Sequence, residues 1–188
     1  IDSEEGYIVL DAGEGIQKLD EYVKDKPVYL FISHSHLDHT HGLHILDKFS
    51  FKELTIIGKP GIKKSLDTLV RQPYTSALKD LPYKASVLEV AEGEHESPLS
   101  FKCKIFDHPD PSMGYKFRLE GKEVSYCTDM GMTDELVEFV KGSDILISEC
   151  AFGCGDEINP DWPHMNPEIA ANLAKRANVK KLFLMHFD

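Results

Sequence analysis

The feature that most constrains this chain is the run Ser33-His34-Ser35-His36-Leu37-Asp38-His39, set directly after the apolar stretch Val28–Ser33. In extended backbone, residues two apart point the same way, so His34 and His36 can reach one metal ion together from the end of a strand. Asp38 and His39 are adjacent and need a turn, which turns them toward a second ion. Three imidazoles and a carboxylate in six positions suit zinc or a similar borderline cation. The plainer reading is a polar loop with Asp38 or Thr40 as a helix cap. It accounts for one histidine but poorly for three after an apolar strand.

A two-metal site needs further ligands from other strand ends. His108 follows an alternating stretch that ends at Phe106, and Pro109 stops that strand. Asp129 follows Val124–Thr128, and His186 interrupts the last apolar segment, Lys181–Phe187. Each is a polar residue at the end of, or inside, an otherwise apolar strand.

The periodicity predicts the elements around these residues. Strands are expected at Tyr7–Leu10, Val28–Ser33, Glu53–Gly58, Leu99–Phe106, Tyr115–Leu119, Val124–Thr128, Asp144–Ser148 and Lys181–Phe187. Helical segments are expected from Glu14 to about Val23, over Gly42–Phe49, from Pro60 through Val70, from a Thr133 cap to Val140, and from Asn166-Pro167 onward. Gln72–Tyr83 reads as an irregular loop, Glu120–Glu123 as a hairpin turn and Glu94–Glu96, with His95, as a surface turn. Strand-rich halves carrying helices point to a layered α/β domain. The 188 residues suit a single domain, and Tyr7–Leu10 at the start with a last strand near the end suggests that a first strand and a C-terminal segment are missing.

Composition narrows the partners. A net charge of −11 argues against a broad electrostatic grip on nucleic acid or on an anionic membrane face. No apolar run approaches the roughly 20 residues of a membrane span. The sequence shows no signal peptide, and four cysteines in 188 residues are too sparse for a disulfide framework, so a reduced, cytoplasmic setting is expected.

Taken together, these motifs resemble the metallo-β-lactamase superfamily, and within it the branch of ribonuclease Z and the cyclic phosphodiesterases. The likeness runs through Leu10–Gly15, His34–His39, His108-Pro109 with Gly114-Tyr115, Tyr126–Asp129, Glu149–Phe152, His164 and His186. It implies an αββα four-layer sandwich, with two mixed β-sheets and helices on the outer faces. It implies that His34, His36 and His108 hold one metal, that Asp38, His39 and His186 hold the other, and that Asp129 bridges them. Asp11 would support the histidine loop from behind, against a bland role as a turn residue. His164, in Trp162-Pro163-His164, would assist proton transfer to the leaving group, and Asp38 counts with it among the catalytic residues. The metals are two divalent ions, zinc first, with manganese or iron also compatible.

With two such ions, two aspartates and a bridging hydroxide nucleophile, the site keeps about one positive charge and attracts an anionic phosphodiester. Full ribonuclease Z enzymes carry a long arm between the His108 and Asp129 positions. Here only twenty residues intervene, which disfavours RNA and favours a small or cyclic phosphodiester as partner. A ribonuclease Z-like endonuclease, a thioesterase or lactonase, and a non-catalytic metal-stabilised domain are the competing readings. A homodimer is left open. His41, His44 and Glu149 are weaker candidates for the site, and Cys150–Cys154 for an extra metal.

Overall fold

A computed structural model describes residues 1–159 and 162–187. It divides into two compact units, Ile1–Ala91 and Glu92–Asp188.

The first unit is built on a four-stranded sheet in the order β1-β2-β3-β4: Tyr7–Leu10, Val28–Phe31, Leu54–Gly58 and Ala85–Glu89. All three pairings are parallel, with Leu10 opposite Phe31 and Phe31 opposite Ile57. Parallel strands need crossovers, and the chain supplies them as 3₁₀ segments at Glu14–Glu21 and His41–Lys48 and as helix α2 at Ile62–Leu69. A four-residue helix α1, Leu37–Thr40, precedes the second 3₁₀ segment. Ile16, Leu43, Leu46, Ile62 and Leu66 pack on Val28, Leu30, Leu54 and Ile56. Ile8, Phe31 and Ile57, which alternate with these, are buried as well, so both faces of the sheet leave water.

The second unit carries a six-stranded mixed sheet in the order β10-β9-β8-β7-β6-β5. Its strands are β5 Gly93–His95, β6 Phe101–Phe106, β7 Ser112–Leu119, β8 Lys122–Cys127, β9 Ile145–Glu149 and β10 Lys181–Met185. β5 to β8 pair antiparallel, whereas β8, β9 and β10 run parallel. Helices α3 (Asp134–Val140) and α4 (Pro167–Arg176) bury Leu136, Phe139, Leu173 and Ala174 with Cys127 and Leu146. Both start as the sequence predicts: Thr133 Oγ1 accepts from Leu136 N–H, and Asn166 Oδ1 accepts from Ile169 N–H.

Several expectations change. The first two helical segments, Glu14–Glu21 and His41–Lys48, are 3₁₀, each closed by local turns. The hairpin turn is only two residues, because Leu119 pairs with Lys122 and leaves Glu120 and Gly121 at φ 45° and 75°, the geometry of a tight hairpin. His95 is in β5 rather than in a turn, paired with Phe101 and stacked on its ring at 4.9 Å. β4 and β5 carry little apolar alternation, being half-exposed, so periodicity does not reveal them. Finally, β10 stops at Met185, and His186 lies just beyond it.

Candidate metal centre

Topology brings the polar residues of each unit to one rim. In the first unit β1 and β2 run side by side, so Asp11 and Ser33-His34 leave the sheet at the same edge. Asp11 N–H donates to Phe31 O at 2.8 Å, Ala12 N–H to His39 O at 2.8 Å and Gly42 N–H to Ala12 O at 2.8 Å, which clips the histidine loop to the end of β1. A side chain at Gly13 would run into the Asp38 carbonyl, so this close approach requires glycine.

The loop gathers three imidazoles. The His34 ring lies 4.5 Å from that of His36 and 4.3 Å from that of His39. His34 and His39 are buried, His36 is half-buried and Asp38 is exposed, with a carboxylate oxygen 3.0 Å from His39 Nε2.

One carboxylate orders the group. Asp11 Oδ1 accepts from Ser33 N–H at 2.6 Å; its Oδ2 accepts from Ser33 Oγ and from His39 Nδ1, both at 2.7 Å. The Ser33 hydroxyl proton is thereby used, so its contact with His34 Nδ1 at 3.0 Å has the ring donating and the oxygen accepting. Both rings are therefore fixed as Nδ1–H tautomers, with the lone pair on Nε2. That is the form in which a neutral imidazole binds a cation, held by the kind of partner that such ligands need. The donor set fits a divalent metal.

In the second unit β6 and β8 run the same way, because each pairs antiparallel with β7, and β9 and β10 follow β8. His108, Asp129, Glu149 and His186 accordingly stand at the ends of four co-directional strands. Asp129 is central: its Oδ1 is 3.3 Å from His186 Nε2 and its Oδ2 is 3.8 Å from His108 Nε2. Thr128 Oγ1 donates to Asp129 Oδ1 at 2.6 Å. Asp11, Asp129 and His186 have φ of 57°, 52° and 58°. Such left-handed geometry costs a residue other than glycine about 1–3 kcal/mol, and it tends to collect where function holds the backbone in place.

Behind them lies a contact that the sequence hardly shows. Glu149 is fully buried and accepts from Met130 N–H, Ala151 N–H and Met165 N–H at 3.1, 3.2 and 3.1 Å. His164 Nδ1 faces its Oε1 at 3.1 Å. The His164 ring lies parallel to His186, 5.7 Å away and 9° from coplanar in orientation, and edge-on to His108 at 5.3 Å. Glu149 thus anchors His164. Its four donors come from two loops, β8–α3 and β9–α4, a convergence that no spacing in the chain encodes.

The other weaker candidates stay outside. His41 and His44 are exposed and their Nδ1 atoms pair with Leu37 O and His41 O. Cys154 Sγ donates to Glu168 Oε1 and Cys150 Sγ to Phe152 O, and among the described residues no cysteine joins a cluster of metal-ligating groups.

Comparison with known proteins agrees with this chemistry. A family model described as "Beta-lactamase superfamily domain" matches residues 7–187. A "Ribonuclease Z" of Clostridium perfringens is 29% identical over 256 residues, covering 96% of this chain and 79% of that protein. The "Uncharacterized protein Rv1339" of Mycobacterium tuberculosis is 26% identical over 191 residues, 95% of this chain and 69% of its own length. Among solved structures, the metallo-β-lactamase fold protein YhfI from Bacillus subtilis superposes with a TM-score of 0.75 at 25% identity, over 99% of this chain and 76% of that one. The chain is therefore a member of the metallo-β-lactamase superfamily and a metal-dependent hydrolase.

Proposed function

We propose that the chain hydrolyses phosphodiester bonds at a pair of divalent ions. His34, His36 and His108 would hold one ion, Asp38, His39 and His186 the other, and Asp129 both. Zinc is the ion this donor set favours, with manganese and iron compatible. When bound, two such ions supply positive charge for the phosphate and lower the pKa of water enough for attack near neutral pH.

The observation that carries the reading is His164, anchored by Glu149 and stacked beside His186. With Nδ1 tied to a buried carboxylate, Nε2 is the atom that passes a proton to the leaving alkoxide. An imidazole's ordinary pKa of about 6.5 suits that task. Glu149 steadies the charged ring, and Asp38, the exposed carboxylate of the loop, is proposed to act on the attacking water as well as on the metal.

For the substrate, the relatives' names support RNA, processed in the manner of a ribonuclease Z, and this reading has more support from the comparisons than any other. A small or cyclic phosphodiester has separate support in the architecture. Between His108 and Asp129 the chain builds only the β7–β8 hairpin with its two-residue turn. A 256-position alignment over 96% of 188 residues leaves about 75 positions of the C. perfringens protein with no counterpart, whereas the mycobacterial protein aligns over 191. The charge of −11 also favours a compact substrate. Four free cysteines support a reducing, cytoplasmic setting, and among the described residues no helix is long and apolar enough to cross a membrane.

The test is a panel assayed with zinc and then manganese: a tRNA precursor, cyclic nucleotides, S-lactoylglutathione and a homoserine lactone. Turnover of the thioester or lactone alone ends the phosphodiesterase reading. His164→Ala is expected to keep both ions by elemental analysis while kcat falls roughly 10²- to 10⁴-fold. Loss of metal in that variant would show that His164 is a ligand instead.

A further inference from the structure

We propose that Trp162, with Phe152, forms a stacking surface for the base of a nucleotide, and that Trp162 sets a preference for base-bearing phosphodiesters. The inference builds on the phosphodiesterase reading above and narrows its substrate class. Trp162 is the only tryptophan of the chain and is 43% exposed, although it has the largest apolar surface of any side chain.

Its position is built rather than loose. Trp162 N–H donates to Asn159 O at 3.0 Å, and His164 N–H donates back to Trp162 O at 2.8 Å. Pro163 between them fixes its own φ and packs on Gly131, where an added Cβ would lie 3.2 Å from the proline ring. Gly131 is two residues past Asp129, so the Trp-Pro-His step rests on the loop that carries the bridging aspartate. Phe152 is tied in by its N–H to Met165 O at 3.1 Å.

The rings make a corner beside the proposed proton donor. The indole stands edge-on to His164 at 4.9 Å and 82°, and edge-on to Phe152 at 5.7 Å and 85°. Phe152 is in turn edge-on to His164 at 6.3 Å. At 43% exposure the indole keeps part of its ring surface open to solvent, where a base can pack. The step from imidazole to indole is about the span of a ribose, so a phosphate handled by His164 would carry its base to the indole. A sugar phosphate without a base presents no flat π-surface for this corner. Both a cyclic nucleotide and the end of an RNA chain do, and the chemistry they share is the base next to the scissile phosphate.

Because Trp162 is unique, its emission reports directly on the event. Zinc-loaded protein is titrated with AMP and with ribose 5-phosphate, which share the phosphate and differ in the base. Saturable quenching by AMP and none by ribose 5-phosphate is expected. By calorimetry, Trp162→Ala is expected to weaken AMP roughly 5- to 150-fold, with ribose 5-phosphate within about two-fold of wild type and Trp162→Phe keeping most of the AMP affinity. Equal affinity for the two ligands in the wild type, or equal losses on both in Trp162→Ala, overturns the proposal. Parallel titrations with cyclic AMP and a short single-stranded oligoribonucleotide distinguish the two sources of the base. Base-dependent quenching without hydrolysis of any diester would keep the stacking surface and remove the phosphodiesterase reading. Hydrolysis with no base-dependent quenching would do the reverse.

Discussion

Asp11 shows how much one side chain can decide. Its two oxygens fix the Ser33 backbone and hydroxyl and the His39 ring, and through Ser33 the His34 ring. In Asp11→Asn one oxygen becomes a donor and must face groups that already donate. We expect the metal-free protein to lose about 1–3 kcal/mol of stability in urea. We also expect metal affinity to fall roughly 10- to 100-fold in a chelator competition. Unchanged affinity would mean that the rings hold their tautomers without the carboxylate. The His34–His39 cluster was legible in the sequence because all its members lie on one short turn after a strand. His108, Asp129 and His186 were legible as polar residues ending apolar strands. The anchoring role of Glu149 was not, since a strand-end carboxylate looks the same whether it caps or clamps. Nor does any residue type announce the left-handed backbone at Asp129 and His186.

Among the elements, the strands with apolar alternation and the helices with good caps could be read closely, whereas the half-exposed β4 and β5 could not. The strands of the second unit also bury two thiols. Burial pushes Cys103 up from 9.0 to about 11 and Cys127 further still. A thiol whose pKa is raised by folding holds its proton in the native state after the unfolded chain has lost it. Its contribution to stability is therefore complete below pH 9 and is lost as pH rises from 9 through 11. Urea midpoints measured from pH 7 to 11 should stay level up to about pH 9 and then fall. The fall should be shallower in a Cys103→Ala/Cys127→Ala variant, whose own lower baseline comes from lost packing. Parallel slopes in the two proteins would place the alkaline loss elsewhere, at Cys150 or Tyr83, both also raised by burial.

For the whole molecule, a charge of −11 sets the terms on which an anionic substrate is met. A basic nucleic-acid enzyme loses kcat/KM as salt rises; here the long-range field is repulsive, so added monovalent salt should leave or raise kcat/KM on a polyanionic RNA and barely alter it on a cyclic nucleotide. A steep fall with salt would reveal a cationic track that the overall balance conceals. The charge was plain from composition, but the direction of the strands was not, and it decides what can be altered safely. The two-residue turn at Glu120-Gly121 opens β8, and Asp129 follows its other end, about 20 Å along the strand. A peptide tag spliced into that turn would therefore give a handle for surface tethering or single-molecule work, remote from the chemistry by the length of the strand that supports it.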